Sequence, residues 1–224
     1  MAATPAKAVI FDLDGTLVDS VPDIHAAANA LLRAMGYQPI SYEILCSFVG
    51  NGIPKLVERF MRASHIDITA ERHASLTAQF VDLYAAKPVE KTRLYAGVTD
   101  FLSDLKSRGH ALGICTNKDH ALTMQVLEGM EISKFFDVVI GGDTTPVKKP
   151  DPAPLYEAMR QLGAAKTLYV GDSEIDAATA VAADVPFALF TQGYRKSEVA
   201  DIPHDLAFSD YGTLPSALER LFST

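Results

Sequence analysis

Residues 8–20 read Ala-Val-Ile-Phe-Asp-Leu-Asp-Gly-Thr-Leu-Val-Asp-Ser, a short apolar run followed at once by two closely spaced carboxylates, Asp12 and Asp14. The run at 8–11 is apolar throughout, which is typical of a strand buried on both faces of a parallel sheet. Ligands of open α/β sheets bind outside the carboxyl ends of the strands. This stretch therefore predicts a buried first strand with its chemistry at the carboxyl end.

The rest of the chain repeats that strand pattern with helices between. Val98, Phe101, Leu102 and Leu105 have helical spacing, and Asp151-Pro152 is expected to open a second helix at its N-cap and first position. Alternation of strands and helices predicts an α/β fold with a doubly wound, mostly parallel sheet. A last strand and helix are expected between 206 and 222. The other predicted strands cover 112–115, 138–140, 168–170 and 187–190.

One region breaks the alternation. Residues 20–88 contain no strand pattern but carry three apolar stripes at helical spacing, such as Ile53, Leu56, Val57 and Phe60. We therefore expect an α-helical domain inserted after the first strand. The predicted domains are an α/β core at 1–19 and 89–224 and a helical insertion at 20–88.

Composition limits the possible functions. The 224 residues include 20 Lys and Arg against 28 Asp and Glu, a net charge of −8, with 48% hydrophobic residues. This balance indicates a globular protein and argues against non-specific nucleic-acid binding or a polybasic membrane anchor, both of which need clustered cations. The sequence shows no signal-peptide pattern and no apolar stretch of membrane-spanning length, so we expect a cytoplasmic protein. Monomer and homodimer both stay open.

Polar side chains follow several of the predicted strands. Thr116 and Asn117 follow the second strand, and Asp172 and Asp176 follow the run at 168–170. Lys149 lies in the loop before the helix that is expected to open at Asp151-Pro152. Clustered carboxylates repel each other, but they suit a hard divalent cation such as Mg²⁺, which prefers oxygen ligands. No histidine pair has zinc-ligand spacing.

Four ordered motifs resemble those of the haloacid-dehalogenase-like (HAD) phosphohydrolases. Residues 12–20 resemble the first motif, Thr116-Asn117 the second, Lys149-Pro150 the third and residues 171–176 the fourth. With the helical insertion, the resemblance covers nearly the whole chain and implies a HAD-like, Rossmannoid core with a helical cap domain. Within this superfamily the chain is similar to bacterial phosphoglycolate phosphatases, through residues 49–52, 141–144 and 148–155.

The resemblance implies two carboxylates in different roles. Asp12 is expected to be the nucleophile, forming an aspartyl-phosphate, and Asp14 the general acid and then general base. Dehalogenases lack the second acidic position because a halide leaving group needs no proton. Asp14 therefore favours a phosphate ester.

The remaining roles concern phosphate and metal. Gly15, Thr116 and Asn117 are expected to bind the phosphate, and Lys149 to neutralise charge during phosphoryl transfer. The resemblance implies a Mg²⁺ ion held by the Asp12 carboxylate, the Asp14 backbone carbonyl and Asp172. Asp176 is expected to orient metal-bound water or Lys149.

The loop Gly50-Asn51-Gly52 is expected to read the substrate. It leads into a helix N-terminus, where free N–H groups and the helix dipole favour an anion. A small substrate carrying a carboxylate beside its phosphate would suit that loop. Lys55 and Arg59 could add positive charge, but we favour the interpretation that both are solvated helix residues.

The expected function is hydrolysis of a small-molecule phosphate ester, with 2-phosphoglycolate the first substrate to try. Pyrophosphatase, sugar or nucleotide phosphatase and β-phosphoglucomutase-like activity stay open, as does a non-catalytic switch in which phosphorylation of Asp12 moves the cap. Asp12 and Asp14 alone would also fit a turn, Asp19 could serve only as a helix cap, and Ser173 with Asp176 fits a capping box.

Overall fold

The computed structural model describes residues 7–222. The strands are β1 (Lys7–Phe11), β2 (Val18–Asp19), β3 (Arg93–Leu94), β4 (Ala111–Cys115), β5 (Val138–Ile140), β6 (Lys166–Gly171), β7 (Phe187–Phe190) and β8 (Leu206–Phe208). The α-helices are α1 (Val21–Ala34), α2 (Tyr42–Cys46), α3 (Ile53–Ala63), α4 (Ala70–Ala85), α5 (Val98–Ser107), α6 (His120–Gly129), α7 (Ala153–Leu162), α8 (Glu174–Ala183) and α9 (Leu214–Leu221).

The predicted parallel sheet is confirmed. Within residues 7–222, six strands form one sheet in the order β5-β4-β1-β6-β7-β8. β1 is an inner strand whose Phe11 pairs with Ile114 of β4 and Val170 of β6, in parallel on both sides. The strand order reverses between β1 and β6, so this is the switch point at which open α/β sheets bind ligands.

Helices cover both faces of the sheet. Val9 and Phe11 of β1 pack in one hydrophobic cluster with residues of α5, α6 and α9, whereas Ala8 and Ile10 pack in another with residues of α7 and α8. This division follows from the alternation of side chains along a strand. The sheet is therefore buried on both faces, which explains the continuous apolar runs in its strands.

The helices α1–α4 form their own hydrophobic cluster. Phe60 of α3 packs against Phe80 of α4, whose ring stacks on that of Tyr84 with 6.2 Å between centroids. Among the described residues no strand lies between 20 and 88, as predicted. None of the helices within 7–222 has the length and apolar character needed to cross a membrane.

The two connections between the helical region and the sheet are tied to each other. β2 pairs with β3 in antiparallel fashion, which places Asp19 opposite Arg93. The buried Asp23 carboxylate accepts hydrogen bonds from Lys91 N, Thr92 N and Thr92 Oγ1. The entry into the helical region and the exit from it therefore form one closed junction.

The predicted start of the helix after residue 150 is wrong by one residue. We expected Asp151 as N-cap and Pro152 at the first position, but α7 begins at Ala153 with Pro152 as its N-cap. Asp151 Oδ1 nevertheless accepts a hydrogen bond from Ala153 N at 2.9 Å. This is the bond that a capping side chain makes to the first turn of a helix, so Asp151 makes the expected capping contact although the helix is assigned from one residue later.

Candidate active site

Asp12 directly follows β1 and is buried at the carboxyl edge of the sheet. Its backbone N donates to Val170 O at 2.9 Å, which fixes its position against β6. Asp12 Oδ1 lies 2.9 Å from Lys149 Nζ, yet among the described residues it has no partner in hydrogen-bond geometry. Burial raises the pKa of Asp12 from 3.8 to about 6, although the charge of Lys149 works in the opposite direction.

Lys149 is a buried cation between two carboxylates. Its Nζ donates to Asp176 Oδ1 at 2.7 Å and to the Tyr169 hydroxyl at 2.8 Å, besides its contact with Asp12. Burial alone would lower the pKa of Lys149, but Asp12 and Asp176 raise it above its ordinary value. Lys149 therefore stays charged and brings a fixed positive charge to the site.

Asn117 positions the backbone of Lys149. Its Oδ1 accepts from Lys149 N at 2.9 Å and its Nδ2 donates to Lys149 O at 3.0 Å. The same Nδ2 donates to Gly50 O, also at 3.0 Å, in the loop before α3. The Asn117 amide thus joins the sheet edge, the lysine loop and the helical region.

Asp172 and Asp176 lie after β6 in different surroundings. Asp172 accepts from Thr16 Oγ1 at 2.8 Å and from Tyr194 N at 2.6 Å, and burial together with Asp176 and Asp12 raises its pKa well above the ordinary value. Both oxygens of Asp176 accept hydrogen bonds, from Lys149, Tyr169 and Ser173. Although burial alone would raise the pKa of Asp176, Lys149 and these hydrogen bonds lower it.

The carboxylates fit a hard divalent cation. Asp12, Asp172 and Asp176 each offer one oxygen, and these three atoms lie within 4.8 Å of one another. Although Lys149 contacts Asp12, the pKa values of Asp12 and Asp172 remain raised, which indicates negative charge that the protein alone leaves poorly compensated. An all-oxygen set of this kind matches Mg²⁺. Asp176 already has donors on both oxygens, so Asp12 and Asp172 are the better-suited ligands.

Gly15 is required by its surroundings. Its φ is +90°, a conformation that residues with a side chain rarely adopt. A Cβ at this position would overlap Asp172 Oδ2 and would lie 2.7 Å from the Tyr194 ring. The first motif can therefore approach Asp172 this closely only with glycine here.

Lys118 is a site residue that the sequence analysis did not single out. This buried lysine donates to both oxygens of Asp14, at 3.0 and 2.9 Å, and Asp14 Oδ1 also accepts from Ser20 Oγ at 2.6 Å. Lys118 follows Thr116-Asn117 directly, which was the only sequence signal for it. Thr116 is buried beside it, and its Oγ1 accepts from Lys118 N at 3.3 Å.

Tyr194 is a second such residue. Its hydroxyl accepts from Ser20 N at 2.8 Å and donates to Asp19 Oδ1 at 2.7 Å, while its backbone N donates to Asp172. Tyr194 therefore joins the carboxylate site to the start of α1. It lies 174 residues beyond Ser20 in a polar loop, and no motif indicated it.

The loop Gly50–Gly52 lies against the site, whereas Lys55 and Arg59 of α3 bind other groups. A Cβ on Gly52 would lie 3.2 Å from Asn117 O, so the loop backbone approaches the sheet edge closely. Asn51 lines the cavity that also contains the carboxylates. Lys55 pairs with Glu58 at 2.7 Å, and Arg59 donates to Phe48 O at 2.8 Å.

Two adjoining cavities open onto Asp12 and Asp14. The larger, of about 300 Å³, also contains Lys149, Asp172 and Tyr194 on its walls. The smaller, of about 40 Å³, extends between the sheet edge and the helical region. Its polar wall includes Lys118, and its apolar wall comes from Ile24, Ile53, Leu56 and Phe80. A charged group and a very small organic group could therefore lie side by side.

Comparison with known proteins identifies the family. A family model described as haloacid dehalogenase-like hydrolase matches residues 9–190. A phosphoglycolate phosphatase of Cereibacter sphaeroides (strain ATCC 17025 / ATH 2.4.3) is 46% identical over 96% of this chain and 99% of its own length. A phosphoglycolate phosphatase of Rhodobacter capsulatus is 41% identical over 96% of this chain and 97% of its own.

The fold agrees with these matches. A crystal structure of a predicted phosphoglycolate phosphatase from Haemophilus somnus 129pt superposes with a TM-score of 0.88 and 29% identity, covering 94% of this chain and 97% of that one. The family model, the relatives that match over nearly their whole length and the superposed structure all cover the same large part of this chain. The chain belongs to the haloacid dehalogenase-like hydrolase family.

Proposed function

We propose that this hydrolase is a Mg²⁺-dependent phosphatase that hydrolyses 2-phosphoglycolate through an aspartyl-phosphate. The observation that carries the proposal is the buried Asp12 carboxylate, held 2.9 Å from the Lys149 ammonium group beside Asp172. The nucleophile Asp12, the ammonium group of Lys149 and the carboxylates that would hold Mg²⁺ then lie together at one edge of the sheet. The substrate follows from the names of the relatives and from the small volume beside Asp14.

In the first half of the reaction, Asp12 attacks phosphorus. A bond forms between an Asp12 oxygen and phosphorus while the bond from phosphorus to the ester oxygen breaks, and Asp14 gives its proton to the departing alkoxide. Lys149 offsets the charge of the transferring phosphoryl group, where preorganised cations have their largest effect.

In the second half, water attacks phosphorus and Asp14 accepts its proton. The bond from Asp12 to phosphorus breaks, so phosphate leaves, Asp12 returns as a carboxylate and Asp14 returns as the protonated acid with which the cycle began. Asp176 is a positioning residue in this scheme, since its oxygens hold Lys149 and the Ser173 turn in place. Asn117 has the same role for the Lys149 backbone.

Mg²⁺ would be held by Asp12, Asp172 and the Asp14 backbone carbonyl. When bound, it supplies positive charge that draws the anionic phosphate toward Asp12. Thr16 and Tyr194 orient Asp172 toward this role through their hydrogen bonds to its two oxygens.

Replacing Asp172 with Asn is expected to weaken metal use. The variant retains the side-chain shape but loses one anionic ligand, so the Mg²⁺ concentration for half-maximal rate rises by about tenfold or more. Phosphate release is measured against MgCl₂ concentration after chelator treatment, with Asp143→Asn as a matched control on the protein surface. An unchanged Mg²⁺ requirement would remove Asp172 from the ligand set.

We also propose that residues 20–88 act as a cap on a core formed by 1–19 and 89–224. The closed junction of β2, β3 and Asp23 supports one pivot for the helical region. The contact of Gly50 with Asn117 supports closure over the carboxylates. Such closure would exclude water from the site.

Replacing Gly52 with Leu tests the contribution of the cap loop. A side chain would meet Asn117 O and Lys148 Nζ at a residue whose φ is +81°, so the loop must shift. We expect kcat/KM for 2-phosphoglycolate to fall by about tenfold or more, since small displacements in an active site are costly. Turnover of p-nitrophenyl phosphate should fall less. Equal losses for both esters would contradict a substrate-reading role for this loop.

A panel of phosphate esters tests the proposed function. Phosphate release with Mg²⁺ is measured for 2-phosphoglycolate, ethyl phosphate, pyrophosphate, a nucleotide and hexose 1-phosphates. The proposal requires the highest kcat/KM for 2-phosphoglycolate. Preference for another ester or for pyrophosphate would reassign the substrate, and conversion of a hexose 1-phosphate to its 6-phosphate would indicate a mutase. No turnover of any compound would favour the phospho-aspartate switch.

A further inference from the structure

The hydroxyl of Tyr84 is a buried polar group with an unused hydrogen-bonding capacity. Tyr84 is only 1% exposed, and among the described residues no acceptor lies in hydrogen-bond geometry with its O–H, although Lys118 is close enough to act on its oxygen. An unsatisfied buried hydroxyl costs free energy, and native proteins contain few of them. Tyr84 borders the smaller cavity beside Asp14, so this orphaned group lies next to the site.

Lys118 borders the same cavity, and its ammonium group lies over the ring of Tyr84. Its Nζ lies 4.7 Å from the centroid of the Tyr84 ring and donates to both oxygens of Asp14. An ammonium group has three donors. Two point to Asp14, and the third can serve the nearby Tyr84 oxygen or an acceptor that enters the cavity.

The remaining walls suit a short carbon chain that ends in an anion. Ile24, Leu56 and Phe80 supply apolar surface, and Gly52 and Ile53 bring the N-terminus of the 11-residue helix α3 to the cavity. Proximity to a helix N-terminus favours negative charge. The volume of about 40 Å³ favours a small group over a sugar or a base.

We propose that Tyr84 and Lys118 form the specificity site for the carboxylate of the substrate. The Tyr84 hydroxyl and the Lys118 ammonium group each donate one hydrogen bond to it, while the phosphate lies at Asp12 in the larger cavity. This proposal rests on the proposed phosphatase function and adds to it the residues that select an ester with a carboxylate near its phosphate.

The arrangement also gives Lys118 two tasks at once. In the free protein it donates to both oxygens of Asp14, and with substrate present it also donates to the carboxylate of the ligand while Asp14 holds the proton that it later gives to the alkoxide. A phosphate ester of the same size without the carboxylate would leave the Tyr84 hydroxyl without an acceptor and bring none to Lys118. Selectivity then comes from groups that only the acidic substrate satisfies.

The test is binding in an inactive background. Asp12→Asn protein, with and without Tyr84→Phe, is titrated calorimetrically with 2-phosphoglycolate and with ethyl phosphate, which has the same number of carbons and no carboxylate. Loss of a hydrogen bond to a charged group should raise the Kd for 2-phosphoglycolate by about tenfold or more and leave that for ethyl phosphate within about twofold. Tyr156→Phe, distant from both cavities, is the matched control.

A second readout separates function from stability. Tyr84→Phe removes an unpaired buried hydroxyl, so its melting temperature without ligand should equal or exceed that of the parent, while Lys118→Met should also lose the preference for the carboxylate. Equal weakening of both esters, or no weakening of either, would overturn the proposal. Absence of phosphate release by the wild-type protein would count against the proposed function, and the titration would still decide the carboxylate site.

Discussion

Asp12→Asn is expected to abolish phosphate release while making the metal-free protein more stable. An amide cannot serve as the nucleophile, so kcat should fall by about ten-thousandfold or more, as for other enzymes that lose their nucleophile. Equal turnover in the variant would rule out Asp12 as the attacking group.

The stability gain follows from the pKa of Asp12. It is raised from 3.8 to about 6 by burial, so between these values the folded state holds the proton more tightly than the unfolded state. Stability of the metal-free protein therefore falls as pH rises through this range, and the penalty is complete above pH 6. At pH 7 Asp12→Asn removes it, with an expected gain of about 1–3 kcal/mol in the free energy of unfolding.

Urea unfolding of both proteins at pH 4 and pH 7, after chelator treatment, measures this effect. The free energy of unfolding of the variant should rise relative to that of the wild type as pH rises from 4 to 7. Added MgCl₂ should stabilise the wild type more than the variant. A variant that is less stable than wild type at pH 7 without metal would contradict the electrostatic description of the site.

Lys149→Met is expected to damage both catalysis and folding. The buried Lys149 pairs with Asp12 and Asp176, so its removal leaves two buried carboxylates without their cation. Breaking a buried ion pair in this way costs about 3–5 kcal/mol. Loss of the fixed charge should lower kcat by about a thousandfold in the fraction that folds.

Two further variants keep this prediction decisive. Lys149→Arg retains the charge, but its planar guanidinium does not reproduce the compact contacts with Asp176 and Tyr169, so we expect a folded protein with kcat reduced by about tenfold or more. Lys148→Met changes the neighbouring, half-exposed lysine and should leave stability and kcat near wild type. Urea unfolding and steady-state kinetics are measured on all three. Near-normal kcat in Lys149→Met would exclude the proposed role of Lys149.

The parallel sheet was predictable because its signal is local. Residues 8–11, 112–115 and 187–190 are apolar throughout, and strands buried on both faces need only that pattern. The two-residue strands β2 and β3 carry too few residues for any periodicity and exist because the chain returns beside itself. The start of α7 was also signalled locally, since Asp151 accepts the bond from Ala153 N that a helix cap makes, and only the first assigned residue differs by one position.

The candidate site was predictable where it has a motif and otherwise was not. Asp12, Asp172 and Asp176 could be selected because each follows a strand, and the sheet brings them together. Tyr84, in contrast, approaches Lys118 from the helical region. Contacts of this kind depend on how the helical region packs on the sheet, which has no sequence period.

Trapping the phosphoenzyme tests directly whether Asp12 attacks phosphorus. The protein is mixed with 2-phosphoglycolate and MgCl₂, quenched in acid and reduced with borohydride, which converts an acyl phosphate of aspartate to homoserine. Peptide mass spectrometry then locates the modified residue. We expect homoserine at position 12 in the wild-type protein and none in Asp12→Asn. Homoserine at another aspartate, or phosphate release that persists in Asp12→Asn, would contradict it.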